Sequence, residues 1–115
     1  MKNCKTFKAD IYVGLQEGYD GHIYRIGEVA KLCQEYCDKT GFGVTVTPTE
    51  FIYTDGNETG VIVGIINYPR FPRPRWKNEV HAKEIAKQCM EAFGQERISI
   101  VMTDKTIMLE RDAED

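Results

Sequence analysis

The most apolar stretch of the chain, Val61-Ile62-Val63-Gly64-Ile65-Ile66, runs straight into Asn67-Tyr68-Pro69-Arg70-Phe71-Pro72-Arg73-Pro74-Arg75-Trp76. An unbroken apolar run of that length reads as a strand covered on both faces and central to a sheet. The three prolines among the next ten residues fix φ and remove three backbone donors, so neither a ladder nor a helix can continue through them. A buried strand must therefore hand over to a stiff, extended connector that holds out three arginines and three aromatic rings.

The elements on either side follow from periodicity. Ala9, Ile11, Val13 and Leu15 alternate with polar or small neighbours, which is strand period, and a turn-rich stretch from Gln16 to His22 closes it. Ile26, Val29, Leu32, Cys33, Tyr36 and Cys37 recur at helical spacing with Thr40-Gly41 as the stop, predicting a first helix over 26–39. Residues 44–53 are rich in β-branched and aromatic side chains, with Pro48 marking an edge, a bulge or a break into two shorter strands. Residues 54–60, with Asp55-Gly56 among them, read as a seven-residue hairpin loop. A second helix begins at Trp76, carries Ala82, Ile85, Ala86, Cys89, Met90 and Phe93 on one face, and ends near Gly94. Ile98, Ile100 and Met102 form a strand, Thr103-Asp104-Lys105 turns, Thr106–Leu109 returns, and the end from Arg111 reads as frayed. The order is βαββαβ with an added C-terminal hairpin strand. That predicts one α+β domain over 1–115, ferredoxin-like, with two helices on one face of a mainly antiparallel sheet.

A net charge of −3 excludes a general polyanion binder, so no long nucleic acid is expected. Against that background Arg70, Arg73, Arg75 and Lys77 stand together with no acid among them, a local charge suited to a small anion. No segment approaches the roughly 20 apolar residues of a membrane span, and the start lacks an apolar signal core, so the expectation is a cytoplasmic protein with no membrane partner. Cys33 and Cys37 share the apolar stripe of the first helix and read as small buried hydrophobes, and no metal or cofactor is expected.

The arginines fork onto phosphate and the rings stack on bases, which makes the 67–76 connector a candidate nucleotide site; a solvated linker is the competing reading. Within it, Phe71 or Trp76 would stack on a base, Arg70, Arg73 and Arg75 would hold a diphosphate, and Asn67 with Thr47 would bond a ribose or base edge. Thr45, Thr47 and Thr49 lie on one strand face, equally readable as a solvent-facing surface. Tyr19, Tyr24 and Arg25 bracket the start of the first helix, where free N–H groups favour an anion. No nucleophile, phosphate-loop or metalloprotease motif is present, and His22 and His81 read as surface or capping histidines before they read as catalytic ones.

Across residues 44–53 and 67–72, together with Ile11-Tyr12-Val13-Gly14-Leu15, the chain resembles small phage and prophage proteins, and within them the phage anti-Thoeris signal-sponge family, the first described class of Thoeris anti-defence proteins. The resemblance implies a viral, non-enzymatic binding protein that sequesters a cyclic ADP-ribose isomer, with cyclic oligonucleotides as further ligands of some members, in the cytoplasm of an infected bacterium. It also implies a homo-oligomer with nucleotide held at subunit boundaries. Tight capture agrees with that, since nanomolar affinity corresponds to about −12 kcal/mol, more than one exposed loop supplies. Two alternatives stand beside the sponge: a small enzyme acting on a phosphorylated nucleotide with His81 or His22 as proton donor, and a protein-interaction module using the proline/arginine loop.

Overall fold

The computed structural model describes residues 1–18 and 21–111; Tyr19 and the last four residues of the expected frayed end lie outside them. Five strands, β1 (Lys8–Gly14), β2 (Thr45–Tyr53), β3 (Gly56–Ile66), β4 (Arg97–Met102) and β5 (Thr106–Glu110), form one sheet in the order β2-β3-β1-β4-β5. Every pairing is antiparallel. The helices α1 (Ile26–Thr40) and α2 (Arg75–Ala92) complete the ferredoxin-like α+β plan, with β5 as the added hairpin strand.

Strand alternation separates the two faces of this sheet. Ala9, Ile11 and Val13 of β1, Val61, Val63 and Ile65 of β3, and Ile98, Ile100 and Met102 of β4 are buried beneath the helices. Helix α1 adds Val29, Cys33 and Tyr36 to this core, and α2 adds Ala82, Ile85, Ala86 and Cys89. The alanines let α2 lie close over β1 and β4 while α1 leans on β2 and β3. Gly41, at φ 74°, caps α1 in the left-handed region and its N–H bonds the Cys37 carbonyl, the glycine stop that the sequence signals. Burial pushes the Cys33 thiol up to about 11 and the Cys89 thiol up to about 12, so both behave as apolar filling.

Three expectations need correction. The run 61–66 is interior but not central: β1 holds the middle, and β3 lies one strand from the edge. Nor is it covered on both faces, since Ile62 is half-buried and Ile66 exposed on the side away from the helices. Pro48 neither bulges nor breaks β2; it pairs in register with Val61 on the edge strand, where its missing N–H costs no ladder bond to a further neighbour. The expected seven-residue loop is a tight turn at Thr54-Asp55, with Asp55 at φ 63°, followed by paired backbone from Gly56 onward. The polar residues Asn57, Glu58 and Thr59 are held as strand because β2 supplies partners for them, and the β2–β3 arm runs past the end of β1 at Gly14↔Gly60.

Candidate functional site

The proline connector arrives where the β3 end, the β1 start and the first turn of α2 meet. Asn67 shapes it: Nδ2 donates to the Lys5 carbonyl at 2.8 Å and Oδ1 accepts from the Arg73 N–H at 2.9 Å. Arg75 is held by Asp104 in a two-pronged contact, Nε to Oδ2 at 2.9 Å and Nη2 to Oδ1 at 2.6 Å, and Nη1 donates to Glu79. Glu79 in turn takes Lys83 at 2.7 Å and Lys105 at 3.2 Å. Hydrogen bonds from Lys83 and Arg75 hold the Glu79 carboxyl down to about 2, and Asp104 is lowered by Arg75. The same two carboxylates, Asp104 first, raise Arg75. This network fastens α2 to the β4–β5 turn.

Arg73 lays its guanidinium 4.8 Å from the Phe42 ring centre and donates Nη2 to the Gly41 carbonyl at 3.1 Å. His81 stacks on Phe42 at 4.1 Å, and its Nδ1 lies 2.6 Å from the Tyr36 hydroxyl. Burial first, then Arg73 and Lys77, lowers the His81 pKa, so the neutral ring is the form the fold holds. Two cavities flank this loop. One of about 360 Å³ is bordered by Lys5, Phe7, Asn67, Arg73, Arg75 and Asp104, and one of about 440 Å³ by Gly41, Phe42, Tyr68, Phe71 and Arg73.

The structure therefore gathers Asn67, Arg73, Arg75 and Phe71, but not the other candidates. Arg70 is exposed with its guanidinium 5.3 Å from the Phe71 ring, and Trp76 is 65% exposed in the first turn of α2. Thr47 belongs to the helix-free face, in a shallow cavity with Asp10, Thr45 and Ile62. Arg25 caps α1 at the opposite end of the sheet, its N–H bonded to Glu28 Oε2 at 2.8 Å. The seven residues of β1 separate those ends, about 20 Å at strand rise.

At that far end a different constellation forms. A cavity of about 370 Å³ is bordered by Gln16, Tyr53, Glu58, Gln95, Glu96 and Arg97. Tyr53 and Glu58 come from the β2–β3 arm, Gln95 and Glu96 from the turn that leads from α2 into β4, and Arg97 from the first position of β4. Gly14, the last residue of β1, makes room for Gln95: a Cβ there would stand 2.5 Å from Gln95 Oε1, while 3.4 Å from Glu58 Oε2 is an ordinary contact. Gln95 Nε2 donates to the carbonyls of Gln16 and Phe93, both at 3.0 Å. Arg97 and Glu110 approach at 3.6 Å, and Glu96 and Arg111 at 3.8 Å, loose surface pairs of small worth. The cavity thus offers carboxylates, an amide oxygen and a phenol ring to a ligand, with Arg97 as the one cation among the described lining residues. Sequence reasoning missed Tyr53 and Glu58 because residues 54–60 read as loop. With a two-residue turn, Glu58 pairs with Phe51 and joins Tyr53 on one face of the arm.

No protein-family model and no curated protein matches the chain. Two solved structures share its fold. A phage SAM lyase in the apo state superposes with a TM-score of 0.80 at 20% identity, over 92% of this chain and 90% of that one. A phage SAM lyase in complex with S-methyl-5'-thioadenosine gives 0.76 at 21%, over 96% and 94%. At these identities the likeness establishes the fold. Both neighbours are phage proteins, in keeping with the phage character implied by the resemblance, and neither is a signal sponge. They also correct the expectation of a non-enzymatic chain, because the proteins sharing this fold over nearly their whole length are lyases.

Proposed function

We propose that the chain is a small phage enzyme that binds S-adenosylmethionine (SAM) in the Tyr53–Glu58–Gln95 cavity and cleaves it to S-methyl-5'-thioadenosine. The carrying observation is the chemistry of that cavity. SAM has a sulfonium, an ammonium, an adenine and a ribose but no phosphate, so it calls for carboxylates and aromatic faces rather than for forked arginines. Glu58 and Glu96 attract the sulfonium and ammonium, and the Tyr53 ring packs against the cation or the base. The lyase chemistry needs no further reagent. The substrate's own carboxylate oxygen bonds to Cγ, the S–Cγ bond breaks with its electron pair passing to sulfur, and a neutral thioether and a five-membered lactone part with no water consumed and no proton released. The protein's task is to fold the aminoacyl chain so that oxygen, carbon and sulfur lie in line, which is proximity catalysis.

Incubation of the purified protein with SAM, followed by liquid chromatography and mass spectrometry, tests this. The expected result is time-dependent S-methyl-5'-thioadenosine with an equal amount of homoserine lactone or its hydrolysis product. Intact SAM with no rise in melting temperature on its addition overturns the reading.

A homo-oligomer fits the same site. The helix-free sheet face exposes Tyr53, Ile66, Val101 and Met108, and Tyr53 also borders the cavity, so a second copy seated there would close it. Light scattering checks this: an oligomer that Val101→Lys dissociates is expected, and a monomeric parent protein rejects it.

A second reading keeps Phe42, Tyr68, Phe71 and Arg73 as an aromatic–guanidinium cavity for a nucleotide such as a cyclic ADP-ribose isomer. It is the weaker one, since Arg75 is committed to Asp104 and Glu79, and Arg73 to Gly41 and Phe42. A melting-temperature rise with cyclic ADP-ribose isomers that Arg73→Ala abolishes would favour it.

A further inference from the structure

The amide of Gln95 is held in place at the rim of the cavity. Its nitrogen serves two backbone carbonyls, Gln16 O and Phe93 O. Exchanging nitrogen and oxygen would set the amide oxygen against both carbonyls, so the hydrogen bonds fix the orientation. The oxygen is left lying over the bare backbone of Gly14, on the side where Glu58 Oε2 also approaches. Two acceptors, one of them charged, thus face the same space, and the amide is oriented by the fold before a ligand arrives.

Resting on the SAM reading, we infer that Gln95 is a specificity residue of this site: with Glu58 it forms an acceptor-only wall that selects a sulfonium over the neutral thioether of the same shape, and Gly14 is the residue that permits the wall. An acceptor oxygen attracts a sulfonium and its polarised methyl and methylene C–H groups. The same oxygen gains little from a thioether, whose sulfur is itself electron-rich. The wall holds substrate, then loses its grip as charge leaves sulfur in the reaction, so product departs readily. Because it binds the charged ground state more tightly than the transition state, disrupting it raises KM without lowering kcat.

The test compares steady-state cleavage of SAM with inhibition by S-adenosylhomocysteine, a thioether lacking the positive charge, in the parent protein and in two variants. Gly14→Ala adds only a methyl group to an extended strand residue, displacing the Gln95 amide oxygen while leaving Glu58 and the backbone at ease. Gln95→Met keeps length and removes the amide oxygen. Both should raise KM for SAM about tenfold, leave kcat unchanged or higher, and move the inhibition constant of S-adenosylhomocysteine less than twofold. General loosening of the cavity would move both constants together and lower kcat, and that pattern in both variants overturns the inference, as does an unchanged KM while the parent cleaves SAM normally. A parent protein that neither binds nor cleaves SAM removes the underlying reading, and the inference with it.

Discussion

Both ends of the sheet carry charges of both signs, and they differ in how that charge is used. At the proline end, Arg75, Glu79, Asp104, Lys83 and Lys105 satisfy one another within one network. At the arm end, Glu58 and Glu96 border an open cavity whose pairs are long and loose. Charge density in sequence marks the first end, while charge left available marks the second. A cluster whose members neutralise one another contributes to the fold, and its capacity to hold a ligand falls accordingly.

Two glutamates, one at each end, break the comparison most sharply. Glu58→Gln should lower kcat/KM for SAM cleavage about 30-fold, roughly 2 kcal/mol, because it removes a charge facing a cation. Its melting temperature should stay within about 2 °C of the parent, since Glu58 is only half-buried and the change to glutamine keeps its size. Steady-state kinetics with a melting curve on the same sample checks both. A Glu58→Gln protein of full activity would remove the cavity from the mechanism.

Glu79→Gln should do the reverse, lowering the melting temperature by about 5 °C while leaving cleavage near normal, since it removes the charge shared by Arg75, Lys83 and Lys105 and leaves Arg75 with Asp104. Its pH dependence follows from sign. The folded-state pKa of Glu79 lies at about 2, below an ordinary value of 4.5, so the stabilisation is present above 4.5 and lost as pH falls from there towards 2. Asp104 is lowered too and acts in the same direction. A melting-temperature series across that window should fall less steeply for Glu79→Gln than for the parent; parallel curves would mean that the carboxylate contributes nothing.

Much of this fold is legible in the chain because its signals are local. The helix stripes, the Gly41 cap, the β1 alternation and the terminal hairpin each need only a window of neighbours. Residues 56–60 resisted reading because Gly, Asn, Glu and Thr form strand here only through pairing with β2. The site resisted for a similar reason. Arg75 finds Asp104 29 positions away, which commits its guanidinium to the fold, and Gln95 reaches Gln16 across 79 positions, which fixes its amide at the cavity. Neither pairing leaves a trace in spacing. The apolar character of Ile62 and Ile66 was visible, but which face the helices leave open was not.

The smallest expected effect separates the two ends most economically. Arg70 is the exposed guanidinium of the loop, 5.3 Å from the ring of Phe71, itself 62% exposed. A cation–π contact so open to water is worth at most about 0.5–1 kcal/mol. Arg70→Ala should therefore shift the melting temperature by about 1 °C or less and change kcat/KM for SAM less than twofold. The contrast with Glu58→Gln matters more than the value itself, because each substitution removes one charge, from the half-buried arm in one case and the exposed loop in the other. Were Arg70→Ala to cost tenfold or more in cleavage while Glu58→Gln cost nothing, the working end would be the proline loop, and the neutralised network beneath it would have to be read as the support of a site.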